Sequence, residues 1–368
     1  MKKHLYIIAS LLLAASCVYP YDVELPSDIE QTLVVDGVIV LGGNSYVNIS
    51  NVRTFDGRYT APPSADILLE EENGATYPGV LQIPGYYRLF TEDANQDSRY
   101  RLTVVYKDKT YATDWTELAN VPTIDRIGFS ADDTDVHVSL SVNRTDARSQ
   151  YLSVSFQEIW HFHATYLQEL GYNPKDNSVY FIPIPDRSRY WCWQKSNSSG
   201  NTILNCSGFG NIVEDWEFTS FLRSSNRNHG EYYIKVNLRS MSRDEYRYWK
   251  NLNDNSAIGG NLFSPEPGDV PSNLRCLTDE NTAVYGYVSF SKVCSAIGSL
   301  DGRYYIQKSS EGLYQFDPEE YRQFYEMGYE PVRQLGDGMG NLVPGWGQRR
   351  CFDCVAAGGK LAKPEFDR

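Results

Sequence analysis

Tyr100-Arg-Leu-Thr-Val-Val-Tyr106 decides the fold class. Tyr100, Leu102, Val104 and Tyr106 fall on one side of an extended chain, and the run is rich in β-branched and aromatic residues, which predicts a strand with one buried face. Working outward, Thr32 to Val40, Tyr46 to Ile49, Ala65 to Glu70 and Tyr86 to Phe90 read the same way, with turns at Gly42-Gly43, Asn73-Gly74, Pro84-Gly85 and Lys107 to Lys109. About seven short strands at this spacing predict an immunoglobulin-like β-sandwich over residues 31–122, with Tyr100 as its tyrosine corner. Asn120-Val-Pro122 marks a boundary, and Asp135 to Val142 and Tyr151 to Ile159 resume strict alternation beyond it. The expected fold is mainly β: the sandwich, then a larger β-rich domain over 123–368 with two or three short helices. Ser242-Arg-Asp-Glu245 is a capping box ahead of Tyr246 to Trp249. Asp317-Pro318-Glu-Glu320 opens a second helix with an apolar stripe at Tyr321, Phe324 and Tyr325, and a third is expected around His163 to Leu170.

The first residues are an address. Lys2, Lys3 and His4 precede an apolar run, Leu5 to Ala15, that is too short for the ~20 residues a membrane-spanning helix needs. Leu13-Ala-Ala-Ser-Cys17 resembles a bacterial lipobox, predicting a signal peptide over 1–16, lipidation at Cys17 and a tether over 17–30. The 47 acidic side chains outnumber 34 basic ones, a net charge of −13, which argues against a nucleic-acid partner. Tyr, Phe and Trp number 28, 15 and 7, a composition that suits an exported β protein.

Six further cysteines, Cys192, Cys206, Cys276, Cys294, Cys351 and Cys354, read as a disulfide framework in an exported chain. Six cysteines allow about fifteen pairings; proximity favours Cys192–Cys206, Cys276–Cys294 and Cys351–Cys354. On that pairing Tyr190-Trp-Cys-Trp193 and Phe209 belong to one stapled aromatic loop, in which Tyr190, Trp191, Trp193 and Phe209 are candidate contacts for a ligand or protein partner, with packing beneath the loop as the alternative. His161 and His163 would share a strand face near Glu158, but no third metal ligand is identifiable, and no metal or cofactor is expected. Nucleophile-elbow, zinc-protease and phosphate-loop motifs are absent from the sequence, so catalytic residues are not assigned. Gly259 to Gly268 is a long Gly/Pro loop of the kind that often carries function.

Taken in order, these segments resemble the Bacteroidota lipoprotein family catalogued as domain of unknown function 4249. The resemblance is carried by Cys17, Pro20 to Pro26, Leu33-Val-Val-Asp-Gly-Val-Ile39, Trp191-Cys-Trp193, Tyr246 to Leu252 and Gly259 to Phe263. It continues through Asn273-Leu-Arg275, Val284-Tyr-Gly-Tyr-Val288, Cys351 to Cys354, Gly358-Gly359 and Lys363 to Phe366. The ending Glu365-Phe-Asp-Arg368 departs from the aromatic close expected there. The resemblance implies a surface-facing outer-membrane lipoprotein that assists a TonB-dependent receptor in nutrient uptake. The leading expectation built on it is a non-enzymatic accessory subunit that captures a ligand, such as a glycan or peptide, or caps the receptor. A structural subunit with no soluble ligand is the alternative reading, and a surface hydrolase a more distant one.

Overall fold

A computed structural model describes residues 32–52, 64–144, 149–198, 200, 202–257, 272–302, 304 and 312–367. Cys17, the tether and the Gly259 to Gly268 loop lie outside the described residues. The protein is mainly β, with 52% strand and 9% helix among the described residues. In the first sandwich, one sheet runs in the order Val284–Tyr285, Leu33–Val40, Asn44–Asn51, Tyr86–Phe90, Val80–Ile83, and Val288–Ser291 also pairs with Leu33–Val40. The other sheet runs Leu274–Cys276, Lys109–Thr113, Arg99–Tyr106, Asp66–Glu71, Thr76–Pro78. Leu33, Val35, Ile39, Leu69, Leu102 and Val104 meet in one core, as the alternation predicts. Tyr100, the second residue of its strand, is fully buried, and its hydroxyl donates to the Asn95 carbonyl at 2.7 Å, five residues upstream, as a tyrosine corner does.

The second sandwich sets Thr123–Ala131, Asp135–Asn143 and Ile212–Leu222 against a sheet ordered Trp191–Asn197, Tyr151–His163, Tyr232–Met241, Val293–Leu300. Its core joins Val136, Val138 and Leu140 to Leu152, Val154 and Phe162. A third, smaller cluster packs two hairpins and the short helix Tyr321–Glu326 around Tyr172, Tyr321 and Trp346. Among the described residues there are two α-helices. The third, expected around His163 to Leu170, is not formed: the strand Tyr151–His163 runs straight through its start, and Leu170–Asn173 is a strand.

Residues 274–291 return to the first sandwich, where they pair in parallel with Leu33–Val40 and antiparallel with Lys109–Thr113. The first sandwich therefore extends beyond the stretch ending near Pro122. Gly286 permits the return, since it has φ +97° and a Cβ there would lie 2.2 Å from the Val35 carbonyl oxygen. The boundary itself is tied down, with the Asn120 carbonyl accepting from the Ser149 and Ser240 hydroxyls at 2.5 and 2.8 Å.

Helix Arg243–Ala257 sits at this junction. Ser242 Oγ accepts from the Glu245 amide at 3.0 Å, half of the expected capping box. The Glu245 carboxylate turns instead to a buried ion pair with Arg239 of the second sandwich and accepts from Ser289 Oγ of the first at 2.7 Å. Asp36 makes the matching contact from the other side, accepting from the Tyr248 hydroxyl at 3.0 Å and the Tyr287 amide at 3.2 Å. Removing one member of a buried ion pair strands the other, at a cost of about 3–5 kcal/mol. Glu245→Ala should lower the free energy of unfolding in urea by that amount, while Arg239→Met with Glu245→Leu recovers most of it. A loss below about 1 kcal/mol in the single variant would contradict this account of the joint.

Candidate functional site

The strand Tyr151–His163 places its even-numbered residues Glu158, Trp160 and Phe162 inward and its odd-numbered His161 and His163 outward. Trp193 lies directly opposite His161, and Trp191 opposite His163. This register builds a stack of rings. His161 is layered between Trp191 and Trp193, with centroids 4.7 and 4.5 Å away. His163 stacks on Tyr190 at 5.2 Å and on His229 at 4.2 Å, and its Nδ1 bonds the Ala164 carbonyl at 2.7 Å. Tyr233 extends the row beside Trp193, and Lys363 caps it with its ammonium 3.9 Å from the Tyr233 ring centre. Trp191 is 40% exposed, so the stack ends on a surface open to contact.

Tyr190, Trp191 and Trp193 thus come together on a sheet edge and not in a stapled loop. Phe209 does not join them. Tyr151 pairs with Asn205 and His163 with Trp191, so the Phe209 turn and the tryptophans lie at opposite ends of a 13-residue strand, about 40 Å apart at ~3.3 Å per residue. The same geometry overturns the Cys192–Cys206 pairing: the Cys206 amide donates to the Gln150 carbonyl, beyond the far end of that strand, whereas bridged Cα atoms must lie within about 7 Å. Cys192 faces inward opposite Phe162 and bonds Cys354, 162 residues later, with Cα atoms 5.7 Å apart. Gly359 passes so close that a Cβ would lie 2.5 Å from Cys192 Cβ.

The other two pairings also fail. Cys276 sits on the first sandwich opposite Tyr111 and Cys294 on the second opposite Leu238, so neighbours in sequence are parted by the fold. Cys351 is a free thiol 3.7 Å from the Gly312 carbonyl, while Asp353 winds the turn that delivers Cys354 to Cys192. Burial alone would push the Asp353 carboxyl up. Hydrogen bonds from Arg189, from the Ala356 and Val355 amides and from Arg349 outweigh it and hold the group below its ordinary value. Non-reducing peptide mapping should find one bridge, Cys192–Cys354, with Cys206, Cys276, Cys294 and Cys351 alkylated as free thiols. A peptide linking any of those four would contradict the arrangement.

The histidines form no metal centre with Glu158. That carboxylate is on the opposite face, accepting from Arg227 at 3.1 and 3.2 Å and from the Tyr232 hydroxyl at 2.7 Å. Among the described residues, no group of three or more His, Cys, Asp or Glu is placed to hold a metal ion. A cavity of about 290 Å³ lies at the joint between the sandwiches, bordered by Ser242, Glu245, Tyr287 and Ser289. Its polar lining is engaged internally: Ser289 bonds Glu245, and Ser242 bonds the Tyr287 hydroxyl at 3.2 Å. Burial pushes that hydroxyl up to about 12.

The model for domain of unknown function (DUF4249) matches residues 18–296. The chain belongs to that family. The match spans both sandwiches, including the return strands at 274–291, and stops within Val293–Leu300. The DUF4249 match therefore includes Trp191 and Trp193 but not Cys354 or Lys363, which the disulfide and the ring stack bring back onto it. No curated protein matches the chain. His229, Tyr233 and Lys363 were not among the sequence candidates; for Tyr233, alternation along Tyr232–Met241 was the one available signal.

The buried stack is sensitive to acid. Burial, followed by the adjacent His163 imidazole, lowers His229 to about 4, and burial also lowers His161. In the unfolded chain a histidine titrates near ~6.5, so the unfolded state takes up the proton first and stability falls as pH drops from about 6.5 towards 4. The melting temperature of the wild type should fall more steeply between pH 7 and pH 5 than that of His229→Asn. Parallel curves would contradict the assignment.

Proposed function

We propose that the protein acts by binding, as a lipid-anchored accessory subunit that captures a glycan or peptide for a TonB-dependent outer-membrane receptor. The observation that carries this reading is the ring stack ending on exposed Trp191. Stacked rings with one face open give a large, rigid contact area at little cost in conformational entropy. The lipobox at Cys17 supports an anchor that would confine the protein near its receptor and raise the local concentration of captured ligand. Family membership supports the setting: the features that resemble this family's members are those of outer-membrane lipoproteins.

A role in assembly, without a soluble ligand, draws on another surface. Val80, Leu81 and Ile83 are exposed on the edge strand of the first sandwich, where unpaired backbone and apolar side chains favour another chain. Affinity purification from native membranes separates the two. Capture predicts that a receptor and a glycan or peptide co-purify, and that Trp191→Ala with Trp193→Ala weakens retention at least ~30-fold, the effect of losing one aromatic hot spot. Unchanged retention of both in the double variant would overturn the reading. A receptor without any soluble ligand would favour assembly.

A further inference from the structure

The chain's own last residues cross the ring stack. Trp193 exchanges both backbone hydrogen bonds with Lys360, at 2.7 and 2.8 Å, on the free edge of the strand Trp191–Asn197. Three residues on, the Lys363 ammonium lies over Tyr233 and Trp193, 3.9 and 4.8 Å from the ring centres. The segment then crosses the outward face of the sheet. Lys195 Nζ donates to the Glu365 carbonyl at 3.0 Å and to the Asp367 carboxylate at 2.6 Å, and Lys235 Nζ donates to the Asp367 carbonyl at 2.8 Å. Gln157 completes the clamp, accepting from the Asp367 amide at 2.8 Å and donating to its carboxylate at 3.1 Å.

We infer that residues 360–367 are a built-in occupant of a groove for extended peptides carrying lysine or arginine, and that such a peptide binds by displacing them. This rests on the capture reading of the same face and names its ligand class. Each attachment is one that another extended chain can reproduce: an edge-strand bridge, a cation over two rings, and a carboxylate held by a half-buried lysine. None of the side chains from Lys360 to Asp367 is buried, so the segment lies on the surface and is not knitted into a core. Beneath it, Ile159 is 1% exposed on the outward face, in register between Lys195 and Tyr233, so displacement uncovers apolar surface for the incoming chain. The Cys192–Cys354 bond fixes the root of the segment, which can leave the groove and return at high effective concentration. The excess of 47 acidic over 34 basic residues favours a basic ligand on approach.

The test uses full-length protein and a fluorescent peptide copying residues 358–367, Gly-Gly-Lys-Leu-Ala-Lys-Pro-Glu-Phe-Asp. Lys363→Ala with Asp367→Ala, both at exposed positions, should bind the peptide at least tenfold more tightly than the wild type, in which the groove is filled. Adding Trp193→Ala should abolish binding, as should replacing the second lysine of the peptide by alanine. In the wild type, excess unlabelled peptide should raise deuterium uptake at residues 360–367. Equal affinity for wild type and double variant, or binding that survives Trp193→Ala, would overturn the inference. If the peptide fails while Trp191→Ala with Trp193→Ala still abolishes partner capture, the groove is wrong and the capture reading stands. Peptide binding with capture unaffected by those substitutions gives the reverse.

Discussion

The body of this protein depends on a buried carboxylate at the meeting point of its two sandwiches. Glu245 is contributed by the first turn of helix Arg243–Ala257, its ion-pair partner Arg239 by the second sandwich, and Ser289 by a strand completing the first. Placing these charges out of water is costly, and the pair roughly offsets that cost without adding much stability. Its effect is on geometry, because the Glu245 carboxylate reaches both Arg239 and Ser289 only when the three elements meet in this arrangement. Asp36, in the middle of Leu33–Val40, repeats the device, binding helix residue Tyr248 and Tyr287, which lies in the link between two return strands.

This joint gives the family-resembling segments a physical meaning. Leu33 to Ile39, Tyr246 to Leu252, Asn273 to Arg275 and Val284 to Val288 are distant in sequence, yet they are the pieces that meet around Asp36 and Glu245 or pair beside them. Asn273 secures the last of them, with its side-chain amide bonding the Val288 carbonyl at 2.7 Å and its oxygen accepting the Val288 amide at 2.9 Å. Those segments build the scaffold. The ring stack is displayed on the second sandwich, at the edge left free by the strand order.

Strands with a single buried face were legible in the sequence. Tyr86 to Phe90 has the expected bounds, Tyr100 to Tyr106 is extended by one residue, and Tyr151 to Ile159 continues to His163. Both capped helices form, since their start signals are local. What escaped depends on distance. The strands at 274–291 are two to four residues long, too short for periodicity to register, and their partners lie more than 150 residues away. Cysteine spacing was misleading for the same reason: pairing followed the sheet register, which carries Cys192 to the far end of a strand from Cys206. At the site, Tyr190-Trp-Cys-Trp193 stood out by composition, but its alternation, with Trp191 and Trp193 outward and Cys192 inward, already separates the ring-bearing face from the disulfide.

Scaffold, disulfide and ring stack belong together: a sheet edge displays aromatic rings at one end of the strand Tyr151–His163, and the exposed Phe209 turn lies at its other end, so the proposed capture role puts contact on the rings alone. Site-specific photo-crosslinking in native membranes tests this directly, with benzoylphenylalanine placed at position 191 in one strain and at position 209 in another. The account predicts a discrete cross-linked partner from position 191 and none from position 209. A partner captured from position 209 alone, or from neither position, would contradict it.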